Sequence, residues 1–431
     1  MLLVQIGIAF CFIVALVAMK KERSVINPLS VFCFVWMAVL FFSTNTTRLD
    51  YPQNETIEWI VIGVVAYTLG YVFQSNFKIR FTFGKWASLR GQIAVPRYKL
   101  LLLCSIVCML FFLKDLILVF LNGGSFNLRY IQQFLRSDDY TVVSNPIENS
   151  INILFIQPIS FALPAICAVD IFYGVKNKRL ITITVLMLLF KMMSTANRSG
   201  FLLLFIYILI VGLIFIRNRR SSNFKNNRLL KRYKYLLFGI IIVAGLVLVI
   251  TTISRGVDLS TNIYLNLAIP PRMFEIWSEK VQEAGLQGYG ETSLMGFLFP
   301  VKYIFNNVLK IWDATNINAV YNMIQLTDVQ WVWPGPKITA NAYVSMFWNL
   351  YTDFRYEGIL VGSFLYGTIS AQSFWNAIRT SNPRMLSAFC LILYSVLYSF
   401  VRFQFSDSRF VLAIIFISFF AYKKDYKLDA I

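Results

Sequence analysis

The sequence predicts an all-α polytopic membrane protein. About eleven transmembrane helices are expected, with the N-terminus outside, the C-terminus inside and one large outer loop carrying short amphipathic helices. Three observations predict this: the hydropathy, the spacing of the apolar runs and the charge of the connections between them. The chain is 58% hydrophobic with a mean hydropathy of +0.63, far above a soluble domain. Apolar stretches recur at 2–19, 27–43, 57–74, 99–121, 151–173, 181–194, 200–216, 236–253, 356–378, 385–401 and 410–422. A helix needs about 20 residues to cross the hydrocarbon core. An odd number of crossings puts the termini on opposite sides. Windows 20–24, 75–99, 174–180, 217–235, 379–384 and 423–431 hold 25 Lys/Arg against 3 Asp/Glu. The other windows, 44–56, 122–150, 195–199, 254–355 and 402–409, hold 13 against 14. Lys and Arg accumulate on the cytoplasmic side of membrane proteins, so the first set is expected inside.

The first span lacks a basic leading region and is followed by Lys20, Lys21 and Arg23, so it reads as a retained helix rather than a cleaved signal. The fourth span carries Lys114 and Asp115 in its outer part; adjacent residues point about 100° apart on a helix, so no simple mutual pair is expected. Asp170 lies near the inner end of the fifth span, where snorkelling accommodates it, and Lys191 lies in the sixth. A tight turn, Thr195 to Gly200, holds Arg198 at the membrane boundary. The inner loop after the seventh span holds eight Lys/Arg, from Arg217 to Lys234. It accounts for much of the +19 net charge and suits lipid headgroups, not nucleic acid. The eighth span exits at Ser254-Arg255-Gly256.

The chain therefore divides into a membrane domain at 1–253, an outer loop at 254–355 and a second membrane domain at 356–431. Within the loop, Pro271 to Gly285 predicts a short helix, with Pro suited to its first turn and Gly to its end. Phe274, Trp277, Val281 and Ala284 would form its apolar face, and Arg272, Glu275, Glu279 and Glu283 its charged one. The stretch 297–312 reads as an amphipathic helix at the outer interface, with a re-entrant or twelfth crossing as the alternative. Trp331, Trp333, Pro334, Gly335 and Pro336 predict a rigid aromatic turn suited to sugar rings or to the headgroup layer.

All six cysteines lie in apolar stretches, so no disulfide framework is implied. The chain has no histidine, which removes a Ser-His-Asp triad, a His general base and His-ligated zinc. No Asp-x-Asp motif occurs to chelate the metal of a nucleotide sugar. No metal and no cofactor are expected. What remains is a set of arginines at outer membrane ends: Arg198, Arg255, Arg272, Arg402 and Arg409. A guanidinium offers a planar fork of donors that matches phosphate oxygens and keeps its charge. Arg402 and Arg409 read as ordinary interfacial anchors. Arg198, Arg255 and Arg272 are the candidate binders of a lipid-linked diphosphate.

Three passages resemble the O-antigen polymerase (Wzy-type) family. "STANRSGFLLLF" at 194–205 is similar to the family's small-residue-Arg-Gly turn, although Asn197 and Ser199 flank the arginine where a Ser-Arg-Gly run is commoner. "SRGVDLSTNIYLNLAIPPRMFEIW" at 254–277 is similar to the opening of its main outer loop. "NLYTDFRYEGILVGSFLYG" at 349–367 is similar to the segment that re-enters the membrane. O-antigen ligases share the general architecture but usually carry a functional histidine in the large outer loop, so the resemblance favours polymerase over ligase.

The resemblance implies glycosyl transfer at the outer face of the cytoplasmic membrane. A growing glycan would leave its undecaprenyl diphosphate and join a hydroxyl of the next lipid-linked repeat unit. Arginines would stabilise the charge developing on the leaving diphosphate. With no histidine, the general base falls to an outer carboxylate: Asp258, Glu275, Glu291, Asp313, Asp328 or Asp353. Glu291, after the flexible Gly288-Tyr289-Gly290, and Glu275, beside Arg272, rank first. The implied partners are the lipid-linked oligosaccharide, the bilayer and a chain-length regulator of the same pathway, without nucleic acid. A flippase of the same lipid-linked glycan is the competing class; its two halves are usually pseudo-symmetric, and no such repeat is evident here.

Overall fold

The computed structural model describes residues 2–44, 48–77, 94–123, 146–195, 199–221, 239, 259–305 and 315–423. The first half comprises α1 (Leu2–Glu22), α2 (Pro28–Thr44), α3 (Asn54–Phe77), β1 (Val95–Pro96), α4 (Tyr98–Gly123), α5 (Pro146–Ile151), α6 (Gln157–Tyr173), α7 (Lys178–Thr195) and α8 (Ser199–Ser221). A wider π turn at Asn152–Ile156 joins α5 to α6. There follow α9 (Leu259–Ala268), α10 (Pro270–Glu283), α11 (Glu291–Tyr303), α12 (Thr315–Val329), β2 (Val332–Gly335) and β3 (Ile338–Ala340). The chain then continues as α13 (Ser345–Thr380), α14 (Pro383–Leu397), α15 (Ser408–Ile415) and β4 (Tyr422–Lys423).

This is the architecture of an all-α, multi-pass membrane protein. Leu2–Glu22, Asn54–Phe77, Tyr98–Leu121, Ile147–Tyr173 and Ser199–Asn218 are long and apolar enough to cross a membrane, by length and composition. Pro28–Thr44, Pro383–Leu397 and Ser408–Phe420 are apolar but shorter. The apolar stretch 236–253, residue 239 apart, lies outside the described residues. Exposed apolar side chains fit a hydrocarbon surround: α1 presents Ile6, Phe12, Ile13 and Val17 outward, and α4 presents Leu103, Val107 and Leu110.

The helices group into two compact units. The first combines Met1–Phe81, Ser260–Trp375 and Ile392–Ser408. Its core is aromatic. Phe32 stacks on Tyr67 at 3.8 Å, and Trp36 lies 4.7 Å from Phe347 and donates to Ser399 Oγ at 3.1 Å. Small residues let α3 and α13 touch backbone to backbone: a Cβ on Gly70 would collide with Phe364 O, and one on Gly367 with Tyr67 O. Thr368 Oγ1 donates to Gly70 O across the same contact at 3.3 Å. Without a hydrophobic force between helices in lipid, close packing of this kind is what holds them together.

α13 is broken inside. Phe354 and Arg355 leave the helical region, Arg355 with φ +53°. Leu350 packs against both Gly358 and Gly362. In a straight helix residues eight apart are about 12 Å apart along the axis, so the two halves fold back on each other. The break falls where the sequence ends the large loop and starts its next span.

In the same unit α11 begins at Glu291, ahead of the expected start at 297. Phe297 stacks on Phe405 and Phe299 on Tyr321, while Leu294, Phe297, Val301 and Ile304 form an exposed apolar stripe. Such a stripe suits the acyl boundary of a bilayer. Residues 306–312 of the expected helix lie outside the described residues. The predicted aromatic turn is the β2–β3 hairpin; it keeps Trp331 and Trp333 exposed while Val332 is buried, and Pro334 O accepts from Asp50 N at 3.0 Å.

The second unit combines Thr82–Leu259, Asn376–Leu391 and Arg409–Ile431. Here α4 packs on α7, and α6 on α8. β1 and β4 pair antiparallel, with Val95 opposite Lys423. Tyr422 is buried and shares a 2.6 Å hydrogen bond with Ser387, and Arg384 Nη2 donates to its carbonyl at 3.1 Å.

Two expectations about intramembrane charge change here. Asp170 does not snorkel: it is buried, accepts from Tyr98 OH, and accepts from Asn177 N at 2.8 Å. Lys114 does reach Asp115, at 3.5 Å, and also pairs with Glu148; its long stem bends past the angle that separates the two Cβ atoms. Lys191 donates to Gln157 Oε1 at 2.9 Å and Ser160 Oγ at 2.8 Å.

Candidate functional site

The site is built in the first unit from α10, the loop 284–290 with the start of α11, the first half of α13, and the start of α3. α10 begins with Pro270-Pro271, whose fixed φ pre-forms the first turn. It ends at Ala284 with Gly285 in the left-handed region at φ +59°. Leu286 N donates to Val281 O and Gly285 N to Gln282 O, which satisfies carbonyls the helix end would leave open.

Arg272 and Glu275 lie one turn apart and pair, Nη1 to Oε2, at 2.8 Å. Glu275 belongs to the charged face of α10, yet it is 4% exposed. The reason is the adjacent chain: Gln53 N donates to the same Oε2 at 3.4 Å, so the start of α3 covers the carboxylate. The other oxygen, Oε1, and Arg272 Nε are buried without hydrogen-bond partners. The pair therefore keeps one acceptor and one donor uncommitted in an apolar setting, where such groups cost about 1–3 kcal/mol each.

On the far end of α10, Lys280 Nζ lies over the Trp277 ring at 4.3 Å and donates to Gln330 at 3.1 Å. Burial pulls this ammonium below its ordinary value, and Glu283 opposes the shift.

Asp353 closes the site. Its Oδ1 accepts Thr292 N and its Oδ2 accepts Ser293 N, both at 2.8 Å, and Ser293 Oγ donates to Oδ2 as well. A carboxylate on two open N–H groups at a helix start is a charge-assisted cap. Here the cap comes from another element. Gly288 N and Tyr289 N donate to Thr352 O and Asp353 O at 2.9 and 3.2 Å. A Cβ on Gly288 would collide with Asp353 Oδ1 and Thr292 Oγ1, so only glycine closes this loop.

Arg355, at the break, donates from Nη2 to Leu286 O at 2.8 Å, with its guanidinium 5.3 Å from the Tyr351 ring. Its Nη1 is buried and has no hydrogen-bond partner. Tyr351 in turn meets Gln282 and Phe274. Tyr356 stacks on Trp59 at 3.9 Å and donates to Glu55 at 2.6 Å. Tyr289 and Phe354 stand exposed beside each other, rings 6.3 Å apart.

Of the residues the sequence nominates, Arg272 and Glu275 come together directly. Glu291 does not join them: it pairs with Lys302 at 3.0 Å. Arg198 and Arg255, like Asp258 and Asp313, lie outside the described residues. Asp328 is committed to Arg402 through a two-pronged pair, Nη1 to Oδ2 at 2.9 Å. Asp353, nominated as a base, has both oxygens engaged and acts as a cap. Arg355 and Tyr351 were not singled out, although both lie in the 349–367 passage. Among the described residues no three His, Cys, Asp or Glu side chains gather as a metal site. No known protein family, curated protein or solved structure matches this chain.

Proposed function

We propose that the protein is a polymerase of undecaprenyl-diphosphate-linked oligosaccharide repeat units, of the O-antigen or capsule kind. It would sit in a bacterial cytoplasmic membrane with about eleven spans, N-terminus outside and C-terminus inside, the positive loops facing the cytoplasm. The growing glycan leaves its lipid diphosphate at C1 of its reducing-end sugar, and an acceptor hydroxyl of the next unit forms the new glycosidic bond. The hydroxyl proton passes to a carboxylate, and the diphosphate departs with the bond electrons.

The observation that carries this reading is the Arg272–Glu275 pair. It couples a guanidinium to a buried carboxylate whose Oε1 has no partner. An uncommitted acceptor in a low-dielectric setting is suited to orient a sugar hydroxyl and take its proton. A guanidinium alongside is suited to phosphate oxygens. Arg198 and Arg255 remain the further diphosphate binders that the resemblance implies, and Glu291 is the second candidate base, its Lys302 partner notwithstanding.

The test is reconstitution. Purified protein in liposomes, given lipid-linked repeat units, should yield a ladder of polymer on a gel. Arg272→Ala and Glu275→Gln should each cut the rate about a hundred- to thousandfold, the usual cost of losing a charged contact to a transition state. Arg198→Ala and Arg255→Ala should do the same, and Arg→Lys should be partly tolerated because it keeps charge but loses the fork. Transbilayer movement of the lipid-linked unit without polymer would instead identify a flippase.

A further inference from the structure

We propose that Arg355, placed by the break in α13, binds the phosphates of the lipid-linked substrate at this site; the inference rests on the reading above and adds a residue to it. Three observations meet at this side chain. Its Nη1 is buried with no acceptor, although a guanidinium carries five N–H donors and Nη2 meets only one carbonyl, Leu286 O. Its backbone sits at φ +53° and ψ −131°, a conformation costly for any residue with a Cβ. The surroundings fix that conformation from both sides: Asp353 caps α11, and Leu350 seats on Gly358 and Gly362.

A strained arginine with an unused buried donor is a poor structural choice. A neutral donor serves a carbonyl at no charge cost. What the arginine adds is a fixed cation. The second half of α13 starts here, with its first N–H groups directed toward the break, so positive partial charge gathers there too. Broken helices in membrane proteins place their half-helix starts toward anionic groups in this way. Tyr351 under the guanidinium adds a flat face that holds its plane.

The shared chemistry is phosphate oxygen, which a lipid diphosphate and an ordinary phospholipid headgroup both carry. Full-length protein in phosphatidylcholine nanodiscs, given undecaprenyl diphosphate, is read by native mass spectrometry, with parallel arms in phosphatidylglycerol nanodiscs and with undecaprenol. Wild type should bind undecaprenyl diphosphate in both membranes and not undecaprenol. Arg355→Gln should bind at least about tenfold more weakly. Arg355→Lys should fall between.

Equal affinity of wild type and Arg355→Gln would overturn the proposal. If the Gln variant is not recovered folded, Arg355→Lys with wild-type affinity overturns it alone. Loss of binding in phosphatidylglycerol would assign the site to ordinary headgroups and remove the diphosphate. Arg355-dependent binding without polymer leaves this inference standing and removes the polymerase reading; polymer made equally by wild type and Arg355→Gln does the reverse.

Discussion

The Asp353 carboxylate holds the start of a helix that begins about sixty residues earlier, through two backbone N–H groups and a hydroxyl. Replacing it by asparagine leaves one accepting oxygen and turns a donor toward an N–H. Asp353→Asn is therefore expected to cost about 1–3 kcal/mol and to open the Gly288–Gly290 loop to protease at the exposed Tyr289. Thermal midpoint in detergent together with limited proteolysis measures both; a wild-type midpoint and cleavage pattern would remove the capping role. The local pair was legible in advance, because Arg272 and Glu275 stand one turn apart. The Asp353 cap was not, since sequence spacing carries no sign of a partner 61 positions away. The partner of Glu291 was unreadable for a related reason: nearby glycines signal a flexible loop, and nothing local signals Lys302.

At the scale of elements, the Pro and Gly boundaries placed α10 and the aromatic turn that becomes the β2–β3 hairpin, while α9 and α12 were not read and α11 starts six residues ahead of its expected start. Which helices touch was not readable, because membrane helices choose partners through small residues and local shape. The α3–α13 contact gives the prediction at this scale. Gly70→Ala and Gly367→Ala each push a methyl into a backbone carbonyl, which cannot rotate away. Each is expected to lower stability by about 1–3 kcal/mol, the range for overpacking. Gly7→Ala meets only side-chain carbons of Val61 and Leu40, which can shift, so its loss should be smaller. Thermal midpoints of the three variants in one detergent give the ranking; Gly7→Ala as the most damaging would refute the contact. The break in α13 was half legible: Gly358 and Gly362 flag an irregular helix, but the left-handed Arg355 is imposed by tertiary contacts.

Over the whole molecule, the charge of the loops predicts a sidedness, and the fold supplies a better probe of it than the sequence does. Gly288 is buried against Asp353, whereas Tyr289 is 70% exposed. In a protein without its native cysteines, Tyr289→Cys should react with an impermeant thiol reagent in intact cells, and Ser222→Cys only after the membrane is opened. Labelling of Ser222→Cys in sealed cells would invert the topology. The first compact unit also has a consequence for how the chain is made. It joins the first 81 residues to segments that begin at Ser260. Thr368 reaches Gly70 from 298 positions downstream. At about 5–20 residues per second of translation, α3 waits roughly 15–60 seconds for the helix that fills its glycine groove. A ribosome that stalls in that interval leaves α1–α3 in the membrane with the groove empty, a nascent species for quality-control proteases to recognise.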